Sequence, residues 1–352
     1  MTLPADVSAT PGTRGWTRLV PYIWPLVGVC IMVAAFFVLS RQAKTLSLAA
    51  IMASLRAIPP HRLVLGAGAA ILAYGALAGY DRIALRQLKR NLPMWFVTLV
   101  SFTTYALSHN IGGTIIAGGA MRYRAYSTRG MSLGEVTFLV LFASFTYVLG
   151  LAMLMGILLV VDPALVERFT ALIDGVLHWL GYAHGASVLA TPDTLLMAAR
   201  TSGVVMLALV GLYVLGSLFG FKPIEMRWLH VHYPSPAVVW RQLLIAPLEP
   251  IGAAGIIYFA LPPSVHVDFV TMLGVFIASF SVGLISHSPG GLGVLEALCV
   301  AAMPEVAKPT MLAALIVFRL FYLVVPLCLS LVIAVAFERQ RWRQAQSEPP
   351  ER

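Results

Sequence analysis

Two stretches of the sequence place polar side chains and helix-breaking residues inside apolar runs. Residues 101–113 read SFTTYALSHNIGG, and residues 279–291 read SFSVGLISHSPGG. At a constant offset of 178 positions (279 minus 101) they share identical pairs, which are Ser101/Ser279, Phe102/Phe280, Ser108/Ser286, His109/His287, Gly112/Gly290 and Gly113/Gly291. Serine and histidine at matched buried positions could donate hydrogen bonds to a phosphate or carry protons. The alternative for His109 and His287 is that they are ordinary hydrogen-bonded histidines of an apolar interior.

The glycines and the proline that end each stretch predict a backbone turn. Glycine reaches backbone angles closed to other residues, and proline cannot donate a backbone hydrogen bond. In an apolar medium such a break persists only where protein or a water-filled cavity satisfies the exposed N–H and C=O groups. The helix that restarts after the turn directs free N–H groups at the break, which suits a phosphate oxygen. The alternative is a structural hairpin in which Ser and His satisfy its own backbone.

Three charged residues lie within apolar sequence and could join such a site. Arg319 is about ten residues into the last apolar run, too deep for its side chain to reach the interface easily. Its partner would be Glu296, Glu249 or a lipid phosphate. Glu249 lies between two prolines and is a second candidate for lining a polar cavity.

The sequence lacks the patterns of a metal or cofactor site. His109 and His287 have no carboxylate or cysteine at a ligand spacing, and Cys30, Cys299 and Cys328 lie apart within apolar runs. No P-loop, Rossmann glycine pattern or serine nucleophile elbow is present. We therefore expect no resident metal, no cofactor and no enzymatic activity.

Composition places these residues in a membrane. The chain of 352 residues is 59% hydrophobic and 11% charged, and its mean hydropathy is +0.85. No ordinary soluble domain of this size has that balance, so the sequence predicts an all-α integral membrane protein. The net charge of +9 suits contact with anionic lipid headgroups and also follows from basic loops that fix orientation.

The apolar runs predict about eight membrane segments. Six are continuous, at 22–39, 63–80, 133–161, 194–219, 238–261 and 310–337, and two are broken, at 93–121 and 268–303. A shorter amphipathic stretch at 45–58 suits the membrane interface. The expected domains are a disordered tail at 1–20, one polytopic membrane domain at 21–338 and a basic C-terminal tail at 339–352.

Basic residues predict the orientation of these segments. Clusters at 82–90, 122–129 and 339–343 mark three cytoplasmic regions, whereas the acidic region 162–193 belongs outside. Two cytoplasmic clusters separated only by 93–121 require that region to enter the membrane and return on the same side. The offset of 178 also relates the neighbouring helices, so units at about 63–161 and 238–337 form a predicted inverted repeat with two re-entrant hairpins.

Four segments together resemble a known family. NIGGTIIAGGAMRYRAY at 110–126, RGMS at 129–132, SPGGLGVLE at 288–296 and FRL at 318–320 are similar to the membrane domain of lysylphosphatidylglycerol synthases and to stand-alone membrane proteins of that family. The resemblance implies that this domain moves lipid between leaflets, while the soluble domain that makes lysyl lipid has no counterpart here. It draws attention to Arg122, Tyr123, Arg124, Pro289, Gly290, Gly291, Gly293, Glu296 and Arg319.

The sequence thus predicts a bacterial inner-membrane protein that flips or binds an amphipathic lipid, such as a phospholipid. The remaining candidate lipid-binding residues are Ser108, His109, Gly112, Gly113, Ser286, His287 and Glu249. One alternative is an intramembrane enzyme acting on a lipid headgroup through His109, His287 and Glu296. Another is a non-transporting partner of a lipid-synthesis complex. Membrane lipids are the expected partners and nucleic acid is not; a homo-oligomer, the lipid, its direction and the coupling ion stay open.

Overall fold

The computed structural model describes most of the chain from residue 48 onward. The described residues are 48–111, 114–170, 191–220, 224–226, 229–231, 233–286 and 289–347. The predicted first span at 22–39 and the site candidates Gly112, Gly113 and His287 lie outside these ranges.

Helices form nearly all the secondary structure of the described residues. They are α1 (Leu48–Arg56), α2 (Pro60–Gln87), α3 (Met94–Ile111), α4 (Thr114–Tyr126), α5 (Leu133–Val161), α6 (Pro192–Leu218), α7 (Pro236–Ile245), α8 (Leu248–Ala260), α9 (Phe269–Ile285), α10 (Val294–Ala302), α11 (Lys308–Arg319) and α12 (Val325–Ser347). Short 3-10 segments occupy Ser127–Arg129, Pro163–Phe169 and Pro289–Gly291, and a π-helical turn at Leu320–Val324 joins α11 to α12. One antiparallel hairpin pairs β1 (Ile224–Met226) with β2 (Leu229–Val231).

Five helical segments are long and apolar enough to cross a membrane. Within the described residues these are Pro60–Gln87, Leu133–Val161, Pro192–Leu218, Pro236–Ala260 and Lys308–Ala336. The chain is therefore a multi-pass helical membrane protein, as its composition predicts, whereas the total of eight segments stays a prediction. The bounds predicted for 133–161 are confirmed, because a capping box of Ser132 and Glu135 starts that helix.

One predicted helix boundary was wrong. The helix predicted to end at residue 80 continues to Gln87, so residues 81–87 are helical rather than a loop. The span predicted at 238–261 corresponds to the membrane-length segment Pro236–Ala260, which is divided into α7 and α8 at Pro247. The last helix runs to Ser347, so most of the predicted C-terminal tail continues α12.

The core lies where α2 crosses α8 through small residues. A Cβ on Gly252 would lie 2.6 Å from the carbonyl oxygen of Ala69, and a Cβ on Gly255 would lie 3.2 Å from the Cβ of Ala69. The missing side chains let the two helix backbones approach closely, as is common in membrane bundles. The largest apolar cluster of the described residues surrounds this crossing.

Two ion pairs mark opposite ends of α5. Arg90, before α3, donates to Glu135 on the first turn of α5, with Nε and Oε1 2.7 Å apart. Arg168, beyond the far end of α5, lies 2.6 Å from Oε1 of Glu305, and Nη1 also donates to the carbonyl of Ala302 at 3.3 Å. The 29 residues of α5 span about 43 Å at roughly 1.5 Å per residue, so these two contacts are separated by the full length of the helix.

Candidate functional site

The second broken stretch folds into a turn of glycines in the left-handed region. Gly290, Gly291 and Gly293 have φ angles of 58°, 64° and 81°. Residues with a Cβ rarely adopt these angles. A Cβ on Gly290 would also lie 3.1 Å from Leu323 Cδ1 and 3.5 Å from Arg319 Nη1. The glycines therefore allow the turn to pack directly against the side chain of Arg319.

Arg319 is held at this turn by a carboxylate and a carbonyl. Its Nε lies 2.5 Å from Oε1 of Glu296, and its Nη1 donates to the carbonyl of Gly290 at 3.1 Å. The other oxygen of Glu296 accepts the backbone N–H of Gly293 at 2.8 Å, which caps the first turn of α10. Within the described residues, the third nitrogen, Nη2, is buried and has no acceptor. One guanidinium donor is therefore left for a ligand.

The end of α3 meets the glycine turn. The carbonyl oxygen of His109 is 3.6 Å from the position that a Cβ of Gly290 would occupy. The imidazole of His109 stacks on the ring of Tyr322, with centroids 5.3 Å apart and planes 15° apart. The amide of Asn110 donates to the carbonyl of Leu323 at 3.4 Å. The two similar stretches recognised in the sequence thus come together beside the π-helical turn.

A buried carboxyl group accepts the hydroxyl of Tyr322. The hydroxyl of Tyr322 donates to Oε1 of Glu249, and the carbonyl of Tyr322 accepts the hydroxyl of Tyr74 at 2.9 Å. Glu249 is 2% exposed, and its Oε2 has no hydrogen-bond partner in the described part of the chain. Tyr322 therefore connects Glu249 on α8 with His109 on α3.

A second buried ion pair joins α2 to α4. Arg122 donates Nε and Nη2 to the two oxygens of Asp81, at 3.1 and 3.0 Å. The side chains of Arg122 and Asp81 are 4% and 0% exposed. The guanidinium carbon of Arg122 is 4.4 Å from the ring centroid of Tyr105. This two-pronged geometry is the strong form of an arginine–carboxylate pair, and it fixes α4 against the bundle.

Several buried polar atoms around these clusters lack a partner within the described ranges. They are Oγ1 of Thr103, Oγ of Ser108, Nδ1 of His109, Oε2 of Glu249 and Nη2 of Arg319. Unsatisfied polar groups are costly in hydrocarbon, so these atoms are suited to contact water or a polar ligand. Ser101 and Tyr126 instead interact with Asp81, and Ser279 interacts with Cys299.

The predicted site residues divide into two groups. The structure brings His109, Gly290, Glu296, Arg319 and Glu249 around the π-helical turn. The hydroxyl oxygen of Ser108 is buried and lies 2.8 Å from the position that a Cβ of Gly118 would occupy. The hydroxyl of Ser286 donates to the carbonyl of Gly283 at 2.7 Å. Pro289 and Gly291 belong to the glycine turn, and Gly293 directly precedes α10.

The RYR motif does not form one site. The sequence placed Arg122 in a cytoplasmic loop, and this was wrong, because the residue is buried on α4 and paired with Asp81. Tyr123 is 41% exposed and Arg124 is exposed, so both face away from the buried ion pair. Only the first residue of the motif belongs to the polar interior.

Asp81 and Tyr322 are the principal residues that the sequence did not reveal. Asp81 precedes a basic cluster and looked like the start of a loop, although its partner is an arginine 41 positions (122 minus 81) away. Tyr322 lies in an apolar run where an aromatic residue ordinarily indicates core packing. One signal for Asp81 was present in the sequence. It is a single acidic residue directly after an apolar span, and an arginine follows later in another apolar segment.

The family model for the lysylphosphatidylglycerol synthase TM region matches residues 25–330. The chain belongs to this family. Among relatives, Uncharacterized protein slr0712 of Synechocystis is 27% identical over 340 residues, which cover 95% of this chain and 98% of that protein. Inner membrane protein YbhN of Escherichia coli is 29% identical over 282 residues, which cover 79% of this chain and 80% of YbhN.

The similarity to lysyltransferases covers most of this chain but only part of each lysyltransferase. Phosphatidylglycerol lysyltransferase of Staphylococcus aureus is 25% identical over 278 residues, which cover 77% of this chain but 28% of the lysyltransferase. The family resemblance found in the sequence motifs is thereby confirmed. Membership of the lysylphosphatidylglycerol synthase TM family implies a role related to membrane lipids.

Proposed function

We propose that this protein binds the headgroup of an amphipathic membrane lipid, such as a phospholipid, in its polar interior and moves it between the leaflets. The observation that carries the proposal is the unpartnered Nη2 of Arg319, buried beside the glycine turn. The headgroup passes through the interior between the two broken stretches while the acyl tails stay in the bilayer.

Arg319 suits a phosphate because two of its three nitrogens are already oriented. Nε is held by Glu296 and Nη1 by the carbonyl of Gly290, so the guanidinium plane is fixed before a ligand arrives. A fixed guanidinium loses little conformational freedom when it binds a phosphate oxygen. An arginine in a membrane segment is itself a mark of function.

The contacts at the two ends of α5 support paired re-entrant hairpins. The ends of the α3–α4 pair meet at the contact of Arg90 with Glu135. At the opposite end of α5, the segment Pro163–Phe169 packs Leu165 directly against Gly274 near the start of α9, and bonds Ala302 at the end of α10. Each pair of broken helices therefore starts and finishes on one side, and the two pairs do so on opposite sides.

This arrangement is that of an inverted repeat, with units at about 63–161 and 238–337 inside a single membrane domain at 21–338. Transporters commonly have this design, with the substrate bound where the broken helices meet. We place the protein in a bacterial inner membrane, in keeping with its similarity to the inner membrane protein YbhN of Escherichia coli. Its partners are membrane lipids, and moving them requires no enzymatic step on the lipid.

Purified protein in liposomes with headgroup-labelled phospholipids tests this function. The expected result is exchange of label between leaflets without covalent change of the lipid. Arg319→Leu is expected to abolish exchange. Arg200→Leu is the matched control and is expected to retain exchange, because Arg200 is an exposed arginine of α6. A chemically altered lipid would support the intramembrane enzyme instead, and no exchange by folded wild-type protein would refute the proposal.

A further inference from the structure

We propose that Glu249 is a proton-binding site and that its proton is coupled to lipid movement. The coupling to lipid movement rests on the proposed function, whereas the proton site does not depend on that function. Glu249 lies on the first turn of α8, directly after the interruption at Pro247. Its side chain is buried, with 2% of its surface exposed.

The geometry around Glu249 satisfies one carboxyl oxygen and leaves the other free. Oε1 accepts the hydroxyl of Tyr322, whereas Oε2 is buried without a partner in the described residues. A carboxylate would leave Oε2 as a charged atom with neither water nor a donor, which is strongly unfavourable in a membrane interior. A proton on Oε2 removes that charge and keeps the bond from Tyr322.

The titratable groups that interact with Glu249 are tyrosines. They come from α2, α3, α5 and the π-helical turn, and they are Tyr74, Tyr80, Tyr105, Tyr147 and Tyr322. Helices α7, α9 and α11 also pack against α8, and the ion pairs of the described residues do not include Glu249. Within the part of the chain that the structure describes, no cationic side chain therefore pairs with this carboxyl group.

A metal cation is a poorer occupant than a proton. Metal ions in proteins are held by several oxygen, nitrogen or sulfur ligands. Around Glu249 the described contacts offer one carboxyl group and one tyrosine hydroxyl. No group of three or more His, Cys, Asp or Glu residues forms a metal site in the described ranges. The site has the composition to hold a proton and lacks the ligands for an ion.

The π-helical turn provides the link to the headgroup site. Tyr322, which bonds Glu249, is three residues after Arg319 on the same helical segment. Short π segments within α-helices are often found at functional sites. An anionic headgroup at Arg319 would make a second negative charge at Glu249 less favourable, so lipid binding and proton binding favour each other. By linkage, the effect of each ligand on the other is equal.

Infrared difference spectroscopy of the purified protein tests the proton site directly. Wild-type protein is expected to show the carbonyl band of a buried protonated carboxyl group, and Glu249→Gln is expected to lose it. Glutamine keeps the acceptor for Tyr322, so the fold should be retained. Glu305→Gln, at an exposed ion pair, is the control and should keep the band. Tyr322→Phe should shift the band without removing it, which provides a second reading if Glu249→Gln fails to fold.

A pH gradient across the liposomes tests the coupling. Wild-type exchange is expected to follow the gradient, and exchange by Glu249→Gln is expected to lose that dependence. The proton site would be overturned if the carbonyl band of the wild-type protein were unaltered in both Glu249→Gln and Tyr322→Phe. It would also be overturned if lipid exchange depended on sodium and the wild-type protein had no such band. An intact Glu249 band with no lipid exchange at any pH would instead refute the proposed function and leave the proton site standing.

Discussion

The buried pair of Asp81 and Arg122 leads to a quantitative prediction about stability. The two side chains are 0% and 4% exposed and share two hydrogen bonds, at 3.1 and 3.0 Å. Removing one member of such a pair leaves an uncompensated charge and costs about 3–5 kcal/mol of unfolding free energy. Asp81→Asn should reach the upper part of this range, because arginine cannot shed its proton and Arg122 would remain charged.

Removing Arg122 should lower the unfolding free energy less than removing the charge of Asp81. In Arg122→Met the isolated Asp81 can take a proton and become neutral, so the penalty should fall toward about 3 kcal/mol or below. Loss of the contact between Arg122 and the Tyr105 ring accounts for about 0.5–2 kcal/mol of that penalty. The double variant Asp81→Leu with Arg122→Met removes both charges, and it should recover most of the lost stability.

Unfolding by dodecyl sulfate in mixed detergent micelles, followed by tryptophan fluorescence, measures these differences. The reasoning requires that Asp81→Asn be less stable than Arg122→Met and that the double variant be more stable than either. A double variant as unstable as the worse single variant would show that the pair is not coupled. An Asp81→Asn variant within about 1 kcal/mol of wild type would show that Arg122 is not desolvated.

Two further predictions concern topology and helix packing. Single cysteines at Arg86 and Arg124 in a cysteine-free background should label from one side of the membrane and a cysteine at Glu167 from the other; labelling of positions 86 and 124 from opposite sides would contradict the hairpin arrangement. Gly252→Ala should lower the unfolding free energy by about 1–3 kcal/mol, because the added Cβ would lie 2.6 Å from a backbone carbonyl oxygen of α2. Gly75→Ala, where a Cβ would have open space, is the control, and thermal melting in detergent compares the two.

The long continuous helices were predictable because local sequence determines them. The helix at 133–161 is an uninterrupted apolar run between a capping box and an aspartate, and its bounds agree with the structure. The span at 238–261 was not predicted in detail, although Pro247 was visible as a breaking signal. The π-helical turn left no local signal, because its residues are as apolar as their neighbours.

The candidate site was predictable where the backbone required special residues. The second turn requires glycines because its backbone has positive φ angles, and the sequence pattern predicted these glycines as site residues. The pairing of Glu296 with Arg319 was one of three alternatives, and only the packed structure selects it. Asp81 and Arg122 meet through tertiary packing of helices far apart in sequence, and no spacing rule connects them.

The most direct test of the lipid-binding account is leaflet exchange by four proteins: wild type, Arg319→Leu, Glu296→Leu and the double variant. The side chains of Arg319 and Glu296 are 16% and 14% exposed, so removing one of them should lower the unfolding free energy by up to about 3–5 kcal/mol. Glu296→Leu should lose about 1 kcal/mol more, because Glu296 also caps α10. The double variant should therefore regain much of the stability, which thermal melting would report. If Arg319 receives the lipid phosphate, the folded double variant should still fail to exchange headgroup-labelled lipid. A folded double variant that exchanges lipid at the wild-type rate would contradict the headgroup role of Arg319.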